Sequence, residues 1–82
     1  YFGGKGQVVV KVLSSDVPGQ LGRIATALGE RGIDIKDIRM SPRADGLVEI
    51  ELKVRVPPKD AMPGAMQALA SLPGVKSTEY SG

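Results

Sequence analysis

The sequence predicts an α+β fold in which a four-stranded antiparallel sheet carries two helices on one face. Four segments are rich in β-branched residues or alternate apolar and polar residues with a period of two, which is typical of strands. Two further segments repeat apolar residues at helical spacing. The order is strand, helix, strand, strand, helix, strand. A chain of 82 residues has material for one core, so all six elements are expected in one domain.

This order folds most simply as the ferredoxin-like βαββαβ arrangement, in which the first and third strands lie at the centre of the sheet. We expect residues 1–6 to be a flexible linker or added residues, residues 7–80 to form the domain, and residues 81–82 to be a tail.

The first strand is predicted over residues 7–13, with Val8, Val10 and Val12 on one face and Val9, Lys11 and Leu13 on the other. The first helix follows from about Leu21, where the period changes. Its apolar stripe consists of Leu21, Ile24, Ala25 and Leu28. Pro18 is expected in the first helical turn, and Gly32 in a left-handed conformation just past the helix end.

The second strand is predicted over residues 33–41 as an irregular edge strand. Its apolar residues shift from Ile33 and Ile35 to Ile38 and Met40, which indicates a bulge or burial on both faces. A turn at Asp45-Gly46 leads into the third strand, whose alternation is the clearest in the chain. Its predicted inward residues are Val48, Ile50, Leu52, Val54 and Val56, and its outward residues are Glu49, Glu51, Lys53 and Arg55.

The second helix is predicted to be capped by Asp60, with Pro63 in its first turn. Its apolar stripe consists of Met62, Ala65, Met66 and Leu69. The segment LPG ends this helix, and a short fourth strand over residues 75–80 completes the domain.

The outward face of the sheet is predicted to be polar, with acids and bases of neighbouring strands placed to pair across the ladder. Val9 and Leu13 are the exceptions on this face. Two isolated apolar side chains are normal on a protein surface, but they also fit a surface that contacts a partner.

Composition narrows the possible functions. The chain contains neither cysteine nor histidine, so the usual thiolate and imidazole metal ligands and the commonest general base are missing. We therefore expect no metal and no cofactor, and no enzymatic activity of the domain itself. A net charge of +2, with no aromatic side chains on the central strands, argues against nucleic-acid binding. No apolar run is long enough to span a membrane, and the absence of cysteine favours a cytoplasmic protein.

The loop before the first helix is the candidate binding site. A helix start presents unpaired N–H groups and the positive end of the helix dipole, which attract a carboxylate. Gly19 lets a ligand approach, and Gly22 adds no obstructing side chain one turn later. Asp16 offers a charge for an ammonium group, so a free α-amino acid satisfies both poles. The alternative is structural, with Asp16 capping the helix and Pro18-Gly19 making an ordinary turn.

The motif DVPGQLGRIATALGERGIDI, residues 16–35, resembles the strongest motif of the ACT domains, small regulatory modules that bind amino acids in many metabolic enzymes. The segment LPGVKSTEY, residues 72–80, is similar to the closing helix-to-strand step of that family. The resemblance covers nearly all of residues 7–80 and implies the same βαββαβ fold.

The resemblance also implies a ligand site shared between two copies, in a homodimer formed through the second strand and first helix. One copy would contribute Asp16, Val17, Pro18, Gly19, Gln20 and Leu21, and the other would contribute Asp34 and Ile35. Two positions depart from the family, which often has asparagine at position 34 and a basic residue at position 17. The acid at position 34 favours neutral or basic amino acids over acidic ones.

Two other functions stay open. The domain would serve only oligomerisation or protein interaction if the site is degenerate, as in a C-terminal module of a stringent-response synthetase. An autonomous enzyme is the third possibility. Because the chain begins at Tyr1 without methionine, we expect a regulatory domain cut from a larger enzyme, whose catalytic domain would be its further partner.

Overall fold

The computed structural model describes residues 7–55 and 61–81. Its elements, in chain order, are β1 (Gln7–Ser15), α1 (Gln20–Gly29), β2 (Asp34–Pro42), β3 (Leu47–Arg55), α2 (Met62–Ala70) and β4 (Val75–Ser81). The strands form one antiparallel sheet in the order β2-β3-β1-β4. The predicted ferredoxin-like βαββαβ fold is therefore confirmed, with the first and third strands at its centre.

The core lies between the sheet and the two helices. Along β1 and β3, every second side chain points into it, as the period of two requires. Val10 lies opposite Leu52 and Val12 opposite Ile50 in the register of the two strands. These central strands are covered by Ile24 and Leu28 of α1 and by Leu69 of α2, all fully buried. The predicted apolar faces of β1, β3 and both helices are thus confirmed for the described residues, except that Ala27 and not the predicted Ala25 is the buried alanine of α1.

The other side of the sheet, which we call the open face, carries the predicted polar set. Lys11 lies opposite Glu51, Leu13 opposite Glu49, and Val9 opposite Lys53. Val9 and Leu13 are half-buried by their neighbours. Lys11 and Glu51 are thus opposite charges that face each other across the ladder, as the alternation predicts.

β2 is the irregular edge strand that the sequence predicts. Its register with β3 shifts between Ile35 and Asp37, so Lys36 forms a bulge. The bulge returns Ile38 and Met40 to the same face as Ile35, which explains the shift in the apolar pattern. Because β2 lies at the margin of the helical layer, Ile38 and Met40 stay 36% and 44% exposed.

The element ends differ slightly from the predictions. Pro18 precedes α1 instead of lying in its first turn, because Pro18 and Gly19 form the turn that leads into the helix. Pro63 does lie in the first turn of α2, and Ser81 belongs to β4 and not to a tail. The predicted cap at Asp60 and the inward Val56 lie outside the described residues. Of the two helices within the described residues, neither is long and apolar enough to cross a membrane.

Candidate functional site

The chain enters α1 through a tight turn over residues 17–20. The N–H of Gln20 donates to the carbonyl of Val17 at 3.3 Å. Gly19 has φ +83° and ψ −5°, the values that the third residue of a type II turn requires. Proline at the second position and glycine at the third are the residues that this turn prefers. The Pro-Gly step therefore sets the direction from which the backbone enters the helix.

Two neighbouring turns hold this loop in place. The N–H of Ser15 donates to the carbonyl of Gly74 at 2.8 Å, and the N–H of Asp16 donates to the carbonyl of Gly46 at 3.1 Å. One bond comes from the turn before β4 and the other from the turn between β2 and β3. The loop is thus fixed by backbone contacts, which leave the carboxylate of Asp16 exposed.

The start of α1 has no side-chain cap. The N–H of Arg23 donates to the carbonyl of Gly19 at 3.1 Å, whereas within the described residues no backbone carbonyl accepts from the N–H groups of Leu21 or Gly22. The alternative in which Asp16 caps the helix is therefore not what the structure shows. We call the turn over residues 17–20, together with the N–H groups of Leu21 and Gly22, the helix-start site. Its positive dipole end suits an anionic group.

The side chain of Gln20 points away from this site. It is 3% exposed, and its Nε2 donates to Ser14 Oγ at 2.7 Å and to the carbonyl of Pro73 at 2.9 Å. Its Oε1 accepts from Arg23 at 3.1 Å. Because the amide group is occupied by protein partners, Gln20 can offer a ligand little more than its backbone.

An open groove of about 490 Å³ runs from the helix-start site along α1. Gly19, Gly22 and Thr26 line it together with Arg23 and Glu30. An added Cβ at Gly22 would meet nothing within 4 Å, so the groove is open above the free N–H groups. Arg23, Thr26 and Glu30 were not predicted as site residues, although their spacing of three and four along the sequence places them on one face of a helix.

The second half of the predicted site lies at the opposite end of the sheet. Asp34 pairs with Arg55, the last residue of β3. The loop before α1 follows Ser15, and Ser15 pairs with Leu47, the first residue of β3. Eight steps of about 3.4 Å along β3 separate these levels by about 27 Å. The structure therefore brings Asp16, Val17, Pro18, Gly19, Gln20 and Leu21 together, and it keeps Asp34 and Ile35 apart from them within one chain.

Asp34 has a neighbour of opposite charge. Its Oδ2 lies 2.7 Å from Lys36 Nζ, and both side chains are largely exposed. A surface pair of this kind contributes about 0–1 kcal/mol, so a competing ammonium group can displace it. Ile35, next along the strand, is half-buried against the core.

No group of three or more acidic side chains with the geometry of a metal site occurs among the described residues.

Comparison with known proteins identifies the family to which this chain belongs. A sequence model of the family described as "ACT domain" matches residues 4–79. A search of curated protein sequences gives no match.

Solved structures share the fold. The ACT domain from GTP pyrophosphokinase of Chlorobium tepidum is 20% identical, with a TM-score of 0.74 over 92% of this chain and 96% of that one. The C-terminal domain of the MgtC protein from Mycobacterium tuberculosis is 15% identical, with a TM-score of 0.79 over 98% and 92%. A homoserine dehydrogenase from Thiobacillus denitrificans is 18% identical, with a TM-score of 0.79 over 92% of this chain, which corresponds to 16% of the dehydrogenase.

Proposed function

Because the chain belongs to the ACT domain family of regulatory small-molecule-binding modules, we propose that it senses a free amino acid at an interface between two copies. Binding there would control a fused or associated metabolic enzyme. The observation that carries this proposal is the uncapped start of α1, with the N–H groups of Leu21 and Gly22 unpaired by backbone carbonyls in the described residues.

The chemistry of the helix-start site supports a zwitterionic ligand. The N–H groups and the dipole of α1 favour the α-carboxylate. The exposed carboxylate of Asp16, whose backbone N–H is held by the carbonyl of Gly46, favours the α-ammonium group. The groove along α1 leaves room for a ligand side chain past Gly22 and Thr26.

The separation of the two site halves supports a shared interface. Asp16 and Asp34 lie at opposite ends of one sheet, so one small ligand can contact both only when they come from different copies. The edge strand β2 offers a surface for that contact, because Ile38 and Met40 are exposed apolar side chains on it. We propose a homodimer through β2 and α1, in which Asp34 and Ile35 of one copy face the loop of residues 16–21 of the other.

Regulation then follows from linkage. A ligand held between two copies favours the arrangement in which both halves of the site meet, by the difference in its affinity for the two arrangements. A coupling of about 1–3 kcal/mol is typical of allosteric control. The acidic Asp34 favours neutral or basic amino acids, because a side-chain carboxylate would be repelled there.

The test is a titration of the ¹⁵N-labelled 82-residue chain with each of the twenty amino acids. We expect one or a few amino acids to shift the amide resonances of Gly19, Leu21 and Gly22, and calorimetry to give a matching dissociation constant. A flat response across all twenty at millimolar concentration would contradict the proposal.

A second candidate function is dimerisation without a ligand. The 2.7 Å ion pair between Asp34 and Lys36 favours it, because a ligand ammonium group at Asp34 would first have to displace Lys36. In that case dilution, and not any amino acid, would control the thermal stability of the domain.

A further inference from the structure

The open face carries a row of four charges that alternate in sign across the whole sheet. At one level of the strands, Arg39 of β2 lies opposite Glu51 of β3, Glu51 lies opposite Lys11 of β1, and Lys11 lies opposite Glu79 of β4. We call these four residues the charged row. Its signs from β2 to β4 are positive, negative, positive and negative.

The members of the charged row are not engaged in close ion pairs with one another. The described residues form three ion pairs within 4 Å, and none joins two members of the row. Lys11, Arg39 and Glu79 are exposed, and Glu51 is partly exposed. Together they line a shallow depression of about 430 Å³ in the open face. The charges therefore remain available to a partner.

We propose that the open face binds the open face of a second copy, with a two-fold axis that runs nearly parallel to the strands between β1 and β3. Rotation about this axis sets the strands of the second copy in the reverse order, so that β2 faces β4 and β3 faces β1, and facing strands stay aligned along their length. Arg39 then faces Glu79 of the second copy, and Glu51 faces Lys11 of the second copy. By symmetry all four facing pairs are opposite in charge, so the row complements itself.

The signs of the charged row favour a two-fold axis parallel to the strands over a two-fold axis perpendicular to them. A two-fold axis perpendicular to the strands would set each strand against its own equivalent and would oppose like charges at every position of the row. Like-charge juxtaposition suppresses an interface. Aligned packing of two sheets, at about 10 Å and within about 30° of parallel, is also the common arrangement of stacked sheets.

The neighbours of the row fit the same arrangement. Val9 and Leu13 flank Lys11 along β1, and their cross-strand partners on β3 are Lys53 and Glu49. In the face-to-face pair, each of these apolar side chains meets the aliphatic stem of a long charged side chain of the second copy. This contact gives a role to the two apolar residues that stand out on an otherwise polar face.

The size of the face sets the strength of the contact. A four-stranded sheet with nine-residue central strands measures about 19 Å by about 30 Å. Two such faces packed together can bury roughly 1,100 Å² of surface, summed over both copies, which is at the lower end of the range for specific interfaces. The pair is therefore weak, concentration-dependent and sensitive to salt. It is separate from the β2 and α1 contact proposed above and does not depend on a ligand.

The experiment uses two single charge reversals, Lys11→Glu and Glu51→Lys, in a Met40→Lys background that removes an exposed apolar side chain from the β2 edge. In a pair of identical variant chains, residue 11 of each copy faces a residue 51 of like charge. Sedimentation equilibrium should therefore show association at least about tenfold weaker than that of the Met40→Lys parent. An equimolar mixture of the two variants should associate at least as strongly as the parent. In the mixed pair, the new carboxylate at position 11 of one chain faces the new ammonium group at position 51 of the other.

The mixture distinguishes the proposal from an effect within one chain. Each reversal also places like charges beside each other in its own sheet, but mixing cannot relieve that repulsion. Circular dichroism of each variant establishes that it folds, and the double variant Lys11→Glu/Glu51→Lys, whose row is again self-complementary, should self-associate like the parent.

Two results would overturn the proposal: a parent that stays monomeric at low salt up to millimolar concentration, or a mixture that associates no better than its components. The row lies on the opposite side of the sheet from α1, so amino-acid binding measured in the same charge reversals with Met40 retained reports on the proposed function separately.

Discussion

The side chain of Gln20 donates a hydrogen bond of 2.7 Å to the hydroxyl of Ser14, and these are the two buried polar residues of the described core. The same amide donates to the carbonyl of Pro73. Gln20 thus connects the end of β1, the first turn of α1 and the segment before β4. This polar bridge fixes the loop whose N–H groups form the helix-start site.

Replacing Gln20 with leucine should destabilise the domain by about 1–3 kcal/mol, because Ser14 Oγ and the carbonyl of Pro73 lose their donor. Urea denaturation measures the loss. Gln67→Leu, at an exposed position of α2, is the matched control and should change stability little. Adding Ser14→Ala completes a double-mutant cycle. Additive effects of the two changes would contradict the bridge.

Alanine at Gly22 separates ligand binding from folding. A helical Cα–Cβ bond tilts toward the helix N-terminus, so the new methyl group extends toward the free N–H groups. We expect unchanged or higher stability, by up to about 1 kcal/mol from helix propensity, together with at least about tenfold weaker binding of the amino acid.

Gly29→Ala is the control for this change. It also lies in α1 with nothing within 4 Å of an added Cβ, but it is at the far end of the helix. It should leave affinity unchanged by calorimetry. Equal affinities in the two variants would place the ligand away from the helix-start site.

Asp16→Asn tests the ammonium half of the proposed site. The side chain is exposed and the loop is fixed by its backbone N–H to Gly46, so thermal unfolding should not change. Affinity for a free amino acid should fall about tenfold or more, because a hydrogen bond to a charged group contributes about 1.5–3 kcal/mol. Asp37→Asn, on the far strand β2, is the comparison. Loss of stability without loss of affinity would assign Asp16 to the fold.

Ile24→Ala should cost about 2–5 kcal/mol of unfolding free energy. Ile24 is fully buried between α1 and the sheet, and a rigid sheet cannot collapse into the space that the change leaves. For a domain this small the loss approaches the whole stability. Thr26→Ala, exposed on the same helix, is expected to change the denaturation midpoint little, and a similar midpoint in both variants would argue against the packing described.

Met40→Lys tests the dimer through β2. Met40 is 44% exposed on the edge strand, so the change removes apolar contact area and adds two like charges across a two-fold contact. We expect monomers at concentrations where the parent pairs through this edge, with an unchanged melting temperature of the monomer. The measurement is sedimentation velocity over a dilution series, at a salt concentration high enough to screen the charged row. Parent-like association of this variant would place the dimer contact elsewhere.

The order of the elements and the faces of the central strands were predictable from the sequence, because they depend on the period of consecutive residues. The alternation around Val10 and Ile50 requires one buried face whatever the partners are. The turn over residues 17–20 is equally local, since proline and glycine restrict the backbone by their own geometry, although Pro18 was expected inside the first helical turn. The irregular edge strand was also visible, as a break in the same period between Ile35 and Ile38, and the register places the bulge at Lys36.

The tertiary structure decided what depends on pairing between distant segments. It turned Gln20 inward, because Ser14 and Pro73 meet it there. It set Asp16 and Asp34 at opposite ends of the sheet, and it aligned Arg39, Glu51, Lys11 and Glu79 in one row. Periodicity tells which face a side chain occupies, but the register between strands decides its neighbours, and register is a property of the folded sheet as a whole.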